Sequence, residues 1–252
     1  MSTVDNNAYG RQFVSFYDQI FPRDAVADQI ASVLAELHPG DGLPSLELGV
    51  GTGRIAIPLA ERTGEVVGVD SSPEMLSLLE KAVAHTALPI TGVEADICGY
   101  ADERCYGLVY CVCGTLSMIL DAGQQQKVFC RVAELLAPGG AVVVETHNKS
   151  GVLAIHAGQR RTSFFVPYPE AGTGLLSYST IDPIASLWHL SHVWFEGRSS
   201  TVAVEVSRLT TPEEVDGYAR NAGLLPVRRT SNWTGEPYNE QSSMFVTVYR
   251  RN

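Results

Sequence analysis

The chain has 252 residues, enough to bury a sizeable core, with an ordinary composition of 45% hydrophobic and 18% charged residues. Its net charge of −10 would repel nucleic-acid phosphates and no basic run offsets it, so a nucleic-acid partner is excluded. Residues 1–7 are polar, without a signal-type apolar stretch, and no run reaches the ~20 apolar residues of a membrane span, so a cytoplasmic protein with no membrane partner is expected. The five cysteines (Cys98, Cys105, Cys111, Cys113 and Cys130) are odd in number and lack framework spacing, which points to free thiols. Cys111 and Cys113 sit in an apolar strand pattern and read as core; no metal site is expected.

Residues 9–20 place Phe13, Phe16, Tyr17 and Ile20 at helical spacing. Residues 24–37 form an amphipathic helix with Val26, Ile30, Val33, Leu34 and Leu37 on one face, broken by Pro39-Gly40-Asp41-Gly42. Residues 46–54, LELGVGTGR, then bring an apolar entry, a carboxylate, and glycines at alternate positions, followed by a helical pattern to Arg62. Glycine is needed where the backbone takes positive φ or must approach a ligand closely, and a helix N-terminus presents unpaired N–H groups. This stretch is a cofactor cradle. A β-rich run at 65–70 ends in Asp70, and Ser71-Ser72-Pro73-Glu74 opens a capped helix whose apolar face is Met75, Leu76, Leu79 and Val83.

A third strand at 90–96 ends in Asp96, and a fourth at 106–112 is continuously apolar, as suits a strand buried on both faces. A helix over 124–136 stops at Pro138-Gly139-Gly140, and 141–146 is a fifth strand. Strand and helix alternate in the manner of a parallel, doubly wound sheet. The rhythm changes over 148–210, where β-rich runs at 163–166, 175–181, 187–195 and 201–209 predict an antiparallel meander. Trp188, His189, His192 and Trp194 fall along one of its strands and read as cap core or interface. A capped helix over 211–221 and closing strands at 225–229 and 244–249 complete the chain. The expected organisation is a core of residues 1–147 and 211–252 with a β-rich insertion at 148–210.

The glycine pattern departs from the dinucleotide fingerprint G-x-G-x-x-G, because Arg54 stands where its third glycine belongs. Glu47-x-Gly49-x-Gly51-x-Gly53 instead resembles the first motif of class I S-adenosylmethionine-dependent methyltransferases. Asp70 matches their acid at the end of strand two, Asp96-Ile97 their acid after strand three, and Leu136-Ala137-Pro138-Gly139-Gly140 their late L-x-P-G-G. The resemblance covers nearly the whole chain except the insertion. It implies a Rossmann-like, doubly wound seven-stranded sheet with an antiparallel last strand and an antiparallel β-rich insertion after strand five.

For the cofactor, S-adenosylmethionine, the resemblance implies that Gly49, Gly51 and Gly53 let the backbone reach the methionine part. Glu47 would steady the turn or meet the cofactor's amino group. Asp70 would accept both ribose hydroxyls, which a carboxylate can do at once. Ser71 and Met75 would flank the adenine, Asp96 and the Ile97 N–H would meet its edge, and Cys113 and Leu116 would close over it. The nearest look within the family is to natural-product N-methyltransferases of the macrolide-sugar and peptide N-terminal types. Their N-terminal helix is matched by Tyr9 and Tyr17-Asp18, and the tail Gly235-Glu236-Pro237-Tyr238 is a shorter likeness to the peptide branch.

His147, directly after strand five, is the candidate general base and substrate contact, since imidazole titrates near neutral pH; a strand cap is the blander reading. Trp233 and Tyr238 are candidate substrate walls, and Glu145 a candidate polar group facing the substrate. The reading is a methyltransferase acting on a small molecule or peptide, at nitrogen, with a homodimer through the insertion. An O-methyltransferase of the same fold, or a cofactor-binding relative with non-methylating chemistry such as a cyclase, remains open at this point, and a nicotinamide dehydrogenase is the remote alternative.

Overall fold

The computed structural model describes residues 8–40 and 42–251. The polar 1–7 stretch and turn residue Asp41 named above lie outside them. The expected single N-terminal helix is two short ones, α1 (Ala8–Phe13) and α2 (Tyr17–Ile20). Helix α3 (Ala25–Leu37) begins at Asp24, whose carboxylate accepts from the Val26 and Ala27 N–H groups. Its buried stripe is Ala27, Ile30, Ala31 and Leu34, while Val26 is 53% exposed. The two alanines, not Val26, fall in phase with Ile30 and Leu34, and their small side chains let α3 lie close on the sheet.

Strand β1 (Ser45–Leu48) leads through the glycine turn into α4 (Ala56–Thr63). Then come β2 (Val66–Asp70), α5 (Pro73–Val83), β3 (Ile90–Glu94), β4 (Tyr106–Cys111), the short α6 (Thr115–Met118) and α7 (Ala122–Leu135). The next strand differs from expectation. Leu136-Ala137-Pro138-Gly139-Gly140 is not a stop before it but its first part: β5 runs Leu136–His147. Leu136 pairs with Tyr106 and Ala141 with Leu108, so the intervening residues bulge, with Gly139 at φ 77°. The insertion holds α8 (Lys149–Ile155), unforeseen in the sequence, then β6 (Arg161–Pro167), β7 (Thr173–Asp182), β8 (Leu187–Glu196) and β9 (Ser199–Arg208). Helix α9 (Pro212–Asn221) and strands β10 (Leu224–Thr230) and β11 (Met244–Arg251) close the chain.

The main sheet has the order β10-β11-β5-β4-β1-β2-β3, and only β11 runs against the rest. This is the Rossmann-like arrangement with an antiparallel final strand. Helices α3, α4 and α5 cover one face, through Leu34, Leu59 and Leu79 against Leu108, Tyr110 and Val143. Helices α7 and α9 cover the other, through Phe129 and Val215 against Leu46, Val109 and Phe245. The second sheet, β6-β7-β8-β9, is a fully antiparallel meander. Between the two sheets lies the N-terminal segment: Phe13, Phe16 and Ile20 pack with Met75 of α5 on one side and Leu175, Trp194 and Ala203 of the meander on the other. Along β8, Trp188, His192 and Trp194 share this inner face, and His189 points the other way, so the expected four-residue group divides between the two faces.

Candidate functional site

The parallel strands deliver their carboxyl ends to one edge of the sheet, the edge at which open α/β sheets bind ligands. At the β1 end, Gly49, Gly51 and Gly53 have φ of 81°, 54° and 81°. A Cβ on Gly49 would stand 2.4 Å from Thr115, and one on Gly53 2.4 Å from Leu79, so these two glycines permit close packing. Above Gly51 the nearest atom to such a Cβ is the Tyr17 hydroxyl at 3.9 Å. Here the missing side chain leaves room for a ligand against bare backbone.

Glu47 lies beneath this turn, 3% exposed, accepting a hydrogen bond from Tyr110 at 2.9 Å. Burial pushes its carboxyl up to about 8, against the hydrogen bond from Tyr110. It steadies the turn from below. Asp70, at the end of β2, accepts from Gly51 N–H on one oxygen and Ser72 N–H on the other, each at 2.9 Å. Burial raises its carboxyl and these bonds oppose that rise. Each oxygen keeps a further acceptor position, which fits a ribose diol. Ser71 follows it, half-buried, at the mouth of the α5 turn. Asp96 is exposed just past β3 and accepts from Cys98 N–H at 2.9 Å; Ile97 beside it is half-buried.

The N-terminal segment covers this edge. Asp18 accepts from the Thr52 hydroxyl at 2.7 Å, and Arg54 Nε donates to the Pro22 carbonyl at 3.1 Å. Gly10 rests on Ser72, where a Cβ would lie 2.2 Å from the hydroxyl oxygen. Tyr9 and Tyr17 are thereby enclosed. Burial raises the Tyr9 hydroxyl well above its ordinary range, helped by the charges of Glu205 and Asp70, which places it between the meander and the β2 end. Tyr17 is raised by burial as well, with Glu47 and Asp70 adding to it.

At the β4 end, Cys113 takes a left-handed φ of 57°, and its N–H donates to Glu145 at 2.7 Å. Its thiol, pushed up to about 12 mainly by burial, lies 3.5 Å from an Arg54 nitrogen. Glu145 spends its other oxygen on the Trp233 indole N–H at 2.7 Å. Glu145 therefore holds two walls in place instead of presenting a free carboxylate. His147, at the β5 end, stacks edge-on to Trp188 with centroids 5.1 Å apart, and its Cε1 would be 3.2 Å from a Cβ on Gly114. Burial lowers its pKa, Glu205 opposing, and its Nδ1 is buried without a hydrogen-bond partner. It is a neutral imidazole whose enclosed Nδ1 has no partner within the protein.

Three sequence-predicted residues are not brought to the cradle. Leu116 is 1% exposed, with its side chain packed in the core against Val128 and Phe129, because the α6 turn directs it downward. Met75 is 2% exposed and packs with Phe13 and Phe16 under α1, leaving almost no surface for an adenine. Tyr238 lies edge-on to Phe245 with the Arg229 guanidinium 5.9 Å from its ring centroid, on the α7–α9 side of the sheet. Conversely, Tyr110 and Glu205 were not singled out in the sequence, and Asp18 entered only within the Tyr17-Asp18 match, with no role given to it. Tyr110 and Glu205 depend on cross-strand register.

The backbone N–H groups of the turn, the Asp70 carboxylate and the exposed Asp96 fit S-adenosylmethionine. Known proteins agree. A methyltransferase-domain family model matches residues 46–140. The CcbJ methyltransferase of Streptomyces caelestis is 31% identical and superposes with a TM-score of 0.87, over 98% of this chain and 99% of its own. The cypemycin N-terminal methyltransferase of a Streptomyces species is 25% identical over 248 residues, 98% of this chain and 99% of its own. The SAM-bound amino pentose methyltransferase CalS10 from Micromonospora echinaspora, at 18% identity, shares the fold with a TM-score of 0.68 over 93% of this chain and 94% of its own. The chain belongs to the S-adenosylmethionine-dependent methyltransferases. Among the described residues no helix is long and apolar enough to cross a membrane.

Proposed function

We propose that this chain methylates an amine nitrogen on a small molecule or peptide, with residues 1–147 and 211–252 binding the cofactor and 148–210 shaping the acceptor site. The observation that carries the reading is the neutral His147 with its partnerless Nδ1 at the β5 end. Bound S-adenosylmethionine supplies an electrophilic methyl group on its sulfonium. The acceptor must offer a free lone pair, and an amine protonated in water gives up a proton to reach that state. The neutral His147 imidazole can take that proton. The name of the cypemycin N-terminal relative agrees with transfer to an amine.

In this reading Gly49, Gly51, Gly53 and Tyr17 hold the methionine end, Asp70 the ribose, and Ser71, Asp96 and Ile97 the adenine, with Cys113 and Glu47 behind. Tyr9 and Trp233 flank the acceptor. The residues closing over the site exclude water and align the nucleophile, and alignment alone can supply roughly 7–11 kcal/mol of the barrier reduction. Transfer of labelled methyl to a panel of free-amine peptides, amino-sugar glycosides, phenols and alcohols tests the assignment. Amine products with stoichiometric S-adenosylhomocysteine support it; product only from hydroxyl acceptors replaces it with O-transfer, and cofactor binding without product points to non-methylating chemistry.

The protein is also proposed to form a homodimer through the outer face of the meander, operating in the cytoplasm. Phe165, Leu176, Val193 and Val202 form one cross-strand row there, and Phe165 and Val202 are 56% and 60% exposed. An apolar sheet face of this kind suits burial against a second copy.

A further inference from the structure

The inner face of the meander carries an enclosed acid, Glu205, besides the exposed Glu196 at the end of β8. Register places Glu205 of β9 opposite Leu190 and diagonal to His192 of β8, on the face that packs over the N-terminal segment. One carboxylate oxygen accepts from the Ser207 hydroxyl at 2.8 Å, and the other lies 3.8 Å from His192 Nε2. His192 is oriented by Ser177, bonded to its Nδ1 at 2.8 Å, and by the Phe13 ring against its face at 5.5 Å. Ser207 in turn pairs across the sheet with Trp188, the residue stacked on His147. A chain of contacts thus links Glu205 to the β5 end on one side and, through Phe13 stacked on Tyr9 at 4.2 Å, to the α1 end on the other.

Glu205 is largely enclosed, with 14% of its side chain exposed, yet among the described residues no lysine or arginine pairs with it. Burial pushes its carboxyl up, but the His192 imidazole 3.8 Å away, the nearby His147 and the Ser207 hydroxyl outweigh this and hold it below its ordinary range. The titratable groups around it come from each neighbouring element: His192 on β8, His147 on β5 and Tyr9 on α1. A carboxylate kept ionised inside a protein normally meets a cation. Among the described residues, the basic groups beside it are imidazoles.

Building on the amine reading above, we propose that Glu205 is the acceptor-binding anion, and that the enzyme selects acceptors that arrive as ammonium ions. The carboxylate holds the ammonium beside His147. One N–H proton then passes to the imidazole, leaving a neutral amine and an imidazolium, whose charge Glu205 also faces. A phenol or an alcohol gains nothing from this anion. The substrate class is therefore a primary or secondary aliphatic amine, such as an amino sugar or a peptide N-terminus, and not a weakly basic aromatic amine or amide nitrogen.

The test uses the full chain and the amine acceptors turned over in the labelled-methyl panel. Glu205→Gln, which keeps shape and removes charge, is expected to raise KM for the amine by about tenfold or more with a smaller change in kcat, and to leave S-adenosylmethionine affinity unchanged. Glu205→Asp is expected to recover part of the loss. Independently of any variant, choline is expected to compete with the amine at lower concentration than its uncharged isostere 3,3-dimethyl-1-butanol. Amine turnover with Glu205→Gln behaving as wild type, or equal inhibition by choline and its isostere, overturns the role of Glu205 and leaves nitrogen transfer standing. Turnover of hydroxyl acceptors alone, or of no amine, overturns the nitrogen reading and this inference with it.

Discussion

The Asp18 carboxylate accepts a 2.7 Å hydrogen bond from the Thr52 hydroxyl, tying the N-terminal cover to the middle of the glycine turn. The bond joins residues 34 positions apart, so the cover's position is set by the turn itself. The same bond is expected to tie cofactor binding at the turn to the segment that carries Tyr9 and Tyr17. Asp18→Ala and Thr52→Val are each expected to weaken S-adenosylmethionine binding about fivefold, the worth of roughly 1 kcal/mol for a partly exposed hydrogen bond to a charged group. Titration calorimetry on both single variants and the double variant checks this. Fully additive losses would show that the two residues act separately.

Asp70 has a different part to play, because its two oxygens already fix Gly51 and Ser72 before any ligand arrives. Its removal both loosens the cradle and takes away the ribose acceptor. Asp70→Ala is expected to lower S-adenosylmethionine affinity by about a hundredfold while far-UV circular dichroism stays native. Unchanged affinity would sink the cofactor assignment for this residue.

These two acids also mark how far the sequence could be read. Asp70 was legible because strand-end acids, glycine turns and helix caps are local signals, and the same holds for the alternation that predicted the sheet. Asp18 was only half visible: its neighbour Tyr17 stood out, but the partner Thr52 lies across a loop closure that no local pattern encodes. Met75 and Leu116 misled because a helix's apolar residues share one chemistry whether they face core or ligand, and only the phase of the fold separates them. Glu205 was invisible for a related reason. Its direction is set by pairing with β8, and a register shift of one residue would have put it in solvent.

Glu47 predicts a pH effect on stability. Its carboxyl is raised from 4.5 to about 8 in the folded chain, chiefly by burial, so between these values the folded state binds a proton that the unfolded state has released. Stability from this group is full below about pH 4.5 and declines as pH rises to about 8. Glu47→Gln keeps the acceptor for Tyr110 and removes the titration. The melting temperature of wild type relative to Glu47→Gln should therefore fall steadily from pH 5 to pH 8. A constant difference across that range would mean that Glu47 stays ionised under the turn.

The outer face of the meander makes a prediction about assembly. Val202 sits at the end of the Phe165–Leu176–Val193–Val202 row and takes no part in the inner face that meets the N-terminal segment. Val202→Lys is expected to convert a dimer into a monomer by light scattering, with cofactor affinity retained. A wild-type monomer at micromolar concentration would remove the interface.

In the proposed mechanism His147 is the group on which the chemical step turns. Burial lowers its pKa, so it is neutral at pH 7 and able to accept a proton, and it charges only as pH falls below its ordinary value of 6.5. Base loss by protonation therefore belongs on the acid limb, and kcat is expected to be level from pH 7 to 8 as far as His147 is concerned. His147→Ala should lower kcat by about a hundredfold, the low end of general-base contributions, with S-adenosylmethionine affinity unchanged. His147→Ala should also flatten the acid limb, since the titrating acceptor is gone. A slower rate with the acid limb intact would instead assign His147 to shape alone, through its stacking on Trp188. An unchanged rate would leave alignment and water exclusion to carry the whole reaction, with the amine shedding its proton to solvent before it binds.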